Sequence, residues 1–300
     1  MGKLFYTPSH LVDNWVESTL RDEGSKFLTG IPDFDKELNG DLRGKFVALI
    51  GAAGSAKSMF GLQVSVGNSI DTDTVGIFAN CEMSENNLFD RILDFNYGLQ
   101  GGGGDRASVY FKECLTEGNA ESYKKKLKDN LNSTYKDNLL ITTSTKLEDM
   151  VKGLEELQSE GKNIAGLVID SSSMMVSKGN NVESAEHYAK SFKSIANRFN
   201  ICVLVIYHIP KSIELDKRDL SSSAKDSVTI INNCDLTISF SAILDEDGKK
   251  VNDLKYLQLF NKRGSGNYVD KVCRVNKSHL VLEPTELDPN VFPERDITKF

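Results

Sequence analysis

Gly51-Ala52-Ala53-Gly54-Ser55-Ala56-Lys57-Ser58 limits the folds open to this chain more tightly than any other stretch of it. It follows an apolar run at residues 46–50 and opens a segment at 57–67 with helical patterning. A strand that turns through glycines straight into a helix is the start of a βαβ unit, and such units build parallel sheets covered by helices. The spacing follows G-x-x-x-x-G-K-[ST], whose chemistry is phosphate binding. Loop N–H groups and the helix N-terminus face an anion, Lys57 reaches toward β- and γ-phosphates, and the Ser58 hydroxyl suits Mg²⁺. Gly51, Ala52, Ala53, Gly54, Ser55, Ala56, Lys57, Ser58 and Met59 are therefore candidate nucleotide contacts, with ATP or another nucleoside triphosphate and Mg²⁺ as implied cofactors. One position departs from the pattern. Ala56 stands where the second glycine belongs, and its Cβ penalises a positive φ.

The rest of the chain repeats the same alternation. Apolar runs at 74–78, 139–142, 164–169, 202–207 and 236–240 are separated by helical patterns such as 85–95, 147–160 and 183–199. That order predicts a mainly parallel sheet covered on both faces. Runs at 256–260, 272–275 and 280–282 follow too closely for crossovers and predict an antiparallel extension. Near the start, Leu11, Val12, Trp15, Val16 and Leu20 form one stripe that Gly24 ends, an amphipathic helix outside the core. The expected division is an N-terminal helical segment, residues 1–25, that packs back on its own domain or docks on a neighbouring subunit, and one α/β domain, residues 26–300. The glycine run at 101–104 is expected to be a surface loop.

Composition narrows the function classes. A formal net charge of −7 excludes a uniformly basic nucleic-acid binder, so any DNA contact must come from particular loops. The five cysteines are odd in number and never in a C-x-x-C pair, which argues against disulfides and structural zinc. No apolar run approaches the ~20 residues of a membrane span and the N-terminus lacks the order of a secretory signal, so a cytoplasmic setting is expected. Asp170 closes the apolar run 164–169, at the strand edge where ligands of open α/β sheets collect. Alone, such an aspartate caps a turn or helix; beside the phosphate loop it becomes the candidate Mg²⁺ partner of Ser58.

Five further segments resemble, in order, the RecA-fold motor of hexameric replicative helicases, the DnaB family, and especially the helicase half of phage helicase–primases and Twinkle. Residues 28–35 (LTGIPDFD) resemble the family's T-G-x-x-x-L-D; 74–84 (TVGIFANCEMS) resemble its strand ending in E-M-S. Residues 203–208 (VLVIYH) resemble the strand ending in a polar γ-phosphate sensor. Residues 219–224 (DLSSSA), with Asn233-Cys234-Asp235 after them, resemble the D-L-[RK]-x-S-G-A loop, with serines in place of its basic residue and glycine. Residues 260–266 (FNKRGSG) resemble the K-x-R-x-x-G stretch, although the family's lysine falls at Asn261 and leaves Lys262 one place late.

The resemblance covers about residues 8–284 and implies a RecA-like P-loop NTPase. It implies Lys57, Glu82, His208 and Arg263 as catalytic, Glu82 orienting the attacking water, His208 sensing the γ-phosphate and Arg263 serving the neighbouring subunit's site. Single-stranded DNA would be gripped by Lys178, Lys211, Lys217, Arg218, Ser221, Ser222, Ser223 and Lys225. The implied assembly is a homo-oligomer, a hexamer, with a primase, loader or polymerase as possible partners and the 9–23 helix latched onto the next subunit. Two rivals stand beside it. Asp170-Ser171-Ser172 is reminiscent of filament-forming recombinases, and Ala56 suits a nucleotide-binding scaffold with little hydrolysis.

Overall fold

The computed structural model describes residues 26–70, 73–99, 106–116, 120–172, 181–209, 232–245, 247, 249–261 and 263–288. The expected helix at 9–23, the glycine run, Lys262, and the loops holding Lys178, Lys211, Lys217, Arg218, Ser221, Ser222, Ser223 and Lys225 lie outside these residues.

A nine-stranded sheet runs in the order β3-β2-β4-β5-β1-β6-β7-β8-β9. Its strands are β1 Phe46–Ala52, β2 Thr74–Asn80, β3 Leu139–Thr142, β4 Asn163–Asp170, β5 Cys202–Ile209, β6 Leu236–Leu244, β7 Lys250–Asn261, β8 Tyr268–Asn276 and β9 Val281–Pro284. From β3 to β6 every pairing is parallel. From β6 to β9 the sheet turns antiparallel through successive hairpins, as the closely spaced apolar runs predict.

Alternation along each strand supplies two cores. Val47, Leu49, Leu204 and Ile206 point to the face covered by α2 (Lys57–Gly67) and α3 (Glu85–Leu99), against Phe60, Leu62, Leu88 and Ile92. Phe46, Ala48, Ile50, Val203 and Val205 point to the other face, covered by α6 (Leu147–Ser159) and α7 (Asn181–Phe199), against Met150, Leu154, Phe192 and Ile195. Each of these side chains larger than alanine contributes about 1.5–3 kcal/mol on full burial, and burial on both faces makes the central strands read as unbroken apolar runs.

The T-G-x-x-x-L-D likeness has a local cause. Asp35 Oδ1 accepts from Thr29 N and Thr29 Oγ1, both at 2.7 Å, and Oδ2 from Gly30 N at 3.1 Å. Those bonds fold the chain into α1 (Pro32–Glu37), whose Pro32 sits in the first turn where its missing N–H costs nothing.

Three helices were not evident from sequence patterning: α1 itself, α4 (Ala107–Thr116) and α5 (Ala120–Tyr135). The last two pack beside α3. Buried Asp94 of α3 accepts from Ser108 N at 2.8 Å and pairs with Arg106 at 2.7 Å, fixing where α4 begins. All five cysteines are buried and none is in a disulfide. Among the described residues no helix is long and apolar enough to cross a membrane.

Candidate active site

The carboxyl ends of β2, β4, β5 and β1 lie side by side, and the loops leaving them hold most of the candidate residues. The end of β1 needs glycine at residue 51: a Cβ on Gly51 would stand 2.7 Å from Ser55 Oγ and 2.9 Å from the Phe240 carbonyl oxygen. Lys57 opens α2 and is almost wholly buried; its Nζ donates to the carbonyls of Gly51 and Ala52, both at 2.7 Å, and to Ser55 Oγ at 3.2 Å. The ammonium thus lies against the loop that a phosphate would enter.

Ala56 is the N-cap of α2 with φ 76 and ψ 13, the left-handed region, and it makes no side-chain cap bond. The loop keeps the glycine conformation with an alanine in it, at a cost of roughly 1–2 kcal/mol. Ala56→Gly removes that cost but adds about 0.5–1 kcal/mol of chain entropy lost on folding. The expected net gain is about 0–1.5 kcal/mol, a rise in Tm of at most roughly 3–6 °C in a thermal melt. A fall in Tm would show that no strain resides at residue 56.

On the metal side, Ser58 Oγ lies 3.1 Å from Asp170 Oδ1. Asp170 is buried, and among the described residues Oδ2 has no hydrogen-bond partner. Burial pushes its carboxyl above the usual range, Glu82 adds to the rise, and the Ser58 hydrogen bond, His208 and Arg91 oppose it. A hydroxyl and a carboxylate with a spare buried oxygen fit a hard, oxygen-seeking cation such as Mg²⁺.

Glu82 is held out from β2 by a small turn. Asn80 donates to the Met83 carbonyl at 2.7 Å and accepts from Met83 N at 3.0 Å, while Cys81 N donates to the Asp170 carbonyl at 2.7 Å. Ser84 then caps α3 through Asn87 N at 3.3 Å, so the capping role and the site role coexist in E-M-S. Glu82 Oε2 accepts from Ser171 Oγ at 3.0 Å and lies 3.3 Å from His208 Nε2. His208 pairs in register with Gly51, which sets it beside the phosphate loop. Sequence reasoning missed Asn80, Arg91 and the Ser171 contact; only Ser171, next to Asp170, carried a signal.

Arg263 stands apart. It leaves the β7 end that pairs with the start of β6, so it lies at the amino edge of the sheet, one strand length, roughly 20 Å, from the phosphate loop. Its guanidinium donates to the carbonyls of Asn233 and Asn232 at 3.4 and 3.5 Å and lies 3.7 Å from Asp235 Oδ1. Asp235 in turn accepts from Phe46 N at 2.8 Å and Lys193 Nζ at 2.6 Å. Gly266, at φ 73, closes the turn with a 2.9 Å bond to the Asn261 carbonyl, the physical reason for glycine three places after the arginine.

Sheet order, phosphate loop and strand-edge aspartate together define a RecA-like P-loop NTPase. The description "DnaB-like helicase C terminal domain" matches residues 27–267, and the chain belongs to that family. It is therefore a helicase-type ATPase domain, a nucleoside-triphosphate hydrolase by class. Among solved structures, the ATPase domain of G40P superposes with a TM-score of 0.73 at 12% identity, over 94% of this chain and 100% of that one. A DnaB-like replicative helicase, studied for its interactions with primase, gives 0.70 at 14% identity, over 93% of this chain and 67% of that one. The RadB recombinase gives 0.53 at 14% identity, over 87% and 100%. No curated protein matches the sequence.

Proposed function

We propose that this chain is the ATP-driven motor of a replicative DNA helicase, moving along single-stranded DNA as a ring whose active sites are shared between subunits. The observation that carries the reading is the distance between Lys57 and Arg263 within one chain: they lie at opposite edges of the sheet. A finger that cannot reach its own phosphate loop is suited to a neighbour's, and head-to-tail contacts of that kind form a ring when the rotation between subunits closes. Lys57 and the loop N–H groups bind the triphosphate, Ser58 and Asp170 hold Mg²⁺, Glu82 orients the water, and His208 faces the γ-phosphate. Mg²⁺ held by Ser58 and Asp170 would supply charge neutralisation to the triphosphate when bound. Residues 1–25 form the docking segment and 26–300 the motor. Lys178, Lys211, Lys217, Arg218, Ser221, Ser222, Ser223 and Lys225 line the DNA channel, and a primase or loader is the expected accessory partner.

Steady-state ATPase with and without single-stranded DNA, paired with particle images of the nucleotide- and DNA-bound protein, tests this. Stimulated hydrolysis and closed rings are expected. Extended filaments would replace the motor by a recombinase, and an unstimulated rate would leave a nucleotide-binding scaffold.

A further inference from the structure

We propose that Glu82, Asp170 and His208 form a chelating site for a zinc-class divalent cation, one that competes with nucleotide for the same side chains. One ligand atom from each of the three lies within 4.8 Å of the other two. Glu82 Oε2 and His208 Nε2 are already 3.3 Å apart, about the edge of a tetrahedron with bonds of roughly 2.0–2.1 Å. The third donor is the decisive one. Asp170 is buried, its Oδ2 has no hydrogen-bond partner among the described residues, and one of its carboxylate oxygens is the atom close to the two part-exposed ligands. An imidazole nitrogen with two carboxylates and an open fourth position is a zinc donor set, whereas Mg²⁺ prefers oxygen and octahedral geometry.

The site is separate in kind from the Mg²⁺ site. Ser58 shares Asp170 with the hard cation, but His208 and Glu82 belong to the softer one. An ion held by all three takes Asp170 from Mg²⁺, Glu82 from the attacking water and His208 from the γ-phosphate at once. Free zinc then inhibits the motor by occupying its site before nucleotide does. The nearby thiol is not a fourth ligand: Cys81 Sγ faces away, toward the carbonyls of Ala79 and Ser144 at 3.9 and 3.7 Å.

The binding half of this inference rests on three side chains and not on the helicase reading, so the two fail separately. Full-length, nucleotide-free protein in Mg²⁺-free buffer is titrated with Zn²⁺ by calorimetry, and with Co²⁺ while following visible absorption. A single tight equivalent and a low-coordinate cobalt spectrum are expected. His208→Ala and Glu82→Gln, each shown folded by its melting curve, should weaken binding by more than the roughly 10–100-fold that follows loss of an outer-shell partner. Cys81→Ser should leave it unchanged, and excess ATP with Mg²⁺ should displace the ion. No binding, binding unaltered in both site variants, loss in Cys81→Ser, or failure of ATP to displace the ion overturns the proposal.

Discussion

Arg263→Ala is expected to lower kcat by roughly 10³–10⁵-fold, the range that separates arginine-finger enzymes with and without the finger, while leaving nucleotide affinity near the wild-type value. The guanidinium is half exposed and its partners are two backbone carbonyls and the carboxylate of Asp235. Its removal therefore costs little stability, within about 0.5 kcal/mol as for other surface changes. Asp235 keeps Phe46 N and Lys193 as partners, so the amino edge stays pinned. The decisive version mixes two inactive proteins, Arg263→Ala and Lys57→Ala. In a shared site, an intact Lys57 from one subunit meets an intact Arg263 from the other, and hydrolysis returns at those interfaces. A finger acting within its own chain could not be rescued in this way. Full activity in Arg263→Ala, or no recovery on mixing, removes the shared site.

What could be read from the chain follows from how local each cause is. Strands β1, β2, β4 and β5 declare themselves because both faces are buried, leaving unbroken apolar runs, and α6 declares itself because Met150 and Leu154 recur at helical spacing. Helix α5 does not: Lys124, Lys125, Lys126 and Lys128 crowd it, and its buried side chain among those described is Tyr135 near its end. Its stability comes from outside, through Tyr123 and Leu127 packing near Phe111 of α4. Strand β7 begins six residues ahead of the apolar run at 256–260 because pairing with β6 and β8 extends the ladder into polar sequence.

The site divides along the same line. Lys57, Ser58 and Asp170 are legible since the first two open a helix straight after a glycine-rich turn and the third ends an apolar strand, each a local pattern. That Glu82, Ser171 and His208 meet depends on the order β2-β4-β5-β1, which no local pattern contains. Arg263 shows the converse. Its motif is local, yet its distance from the phosphate loop emerges only from the antiparallel pairing of β6 and β7.

Lys57→Ala carries the second large effect. The ammonium lies buried with two carbonyls and a hydroxyl as acceptors, so it is held in place before any phosphate arrives. On binding it exchanges neutral acceptors for phosphate oxygens of full charge. Hydrogen bonds to charged groups are worth about 1.5–3 kcal/mol each, and two of them amount to roughly 10²–10⁴-fold in affinity. Titration of a fluorescent ATP analogue at millimolar Mg²⁺ should show that loss, with hydrolysis falling at least as far. Gly51 and Ala52 are buried, so loss of the ammonium also takes a donor from their carbonyls and the melting temperature should fall. The affinity is therefore read on protein shown to be folded at the assay temperature. Wild-type affinity in Lys57→Ala would mean that the triphosphate is held somewhere other than the turn between β1 and α2.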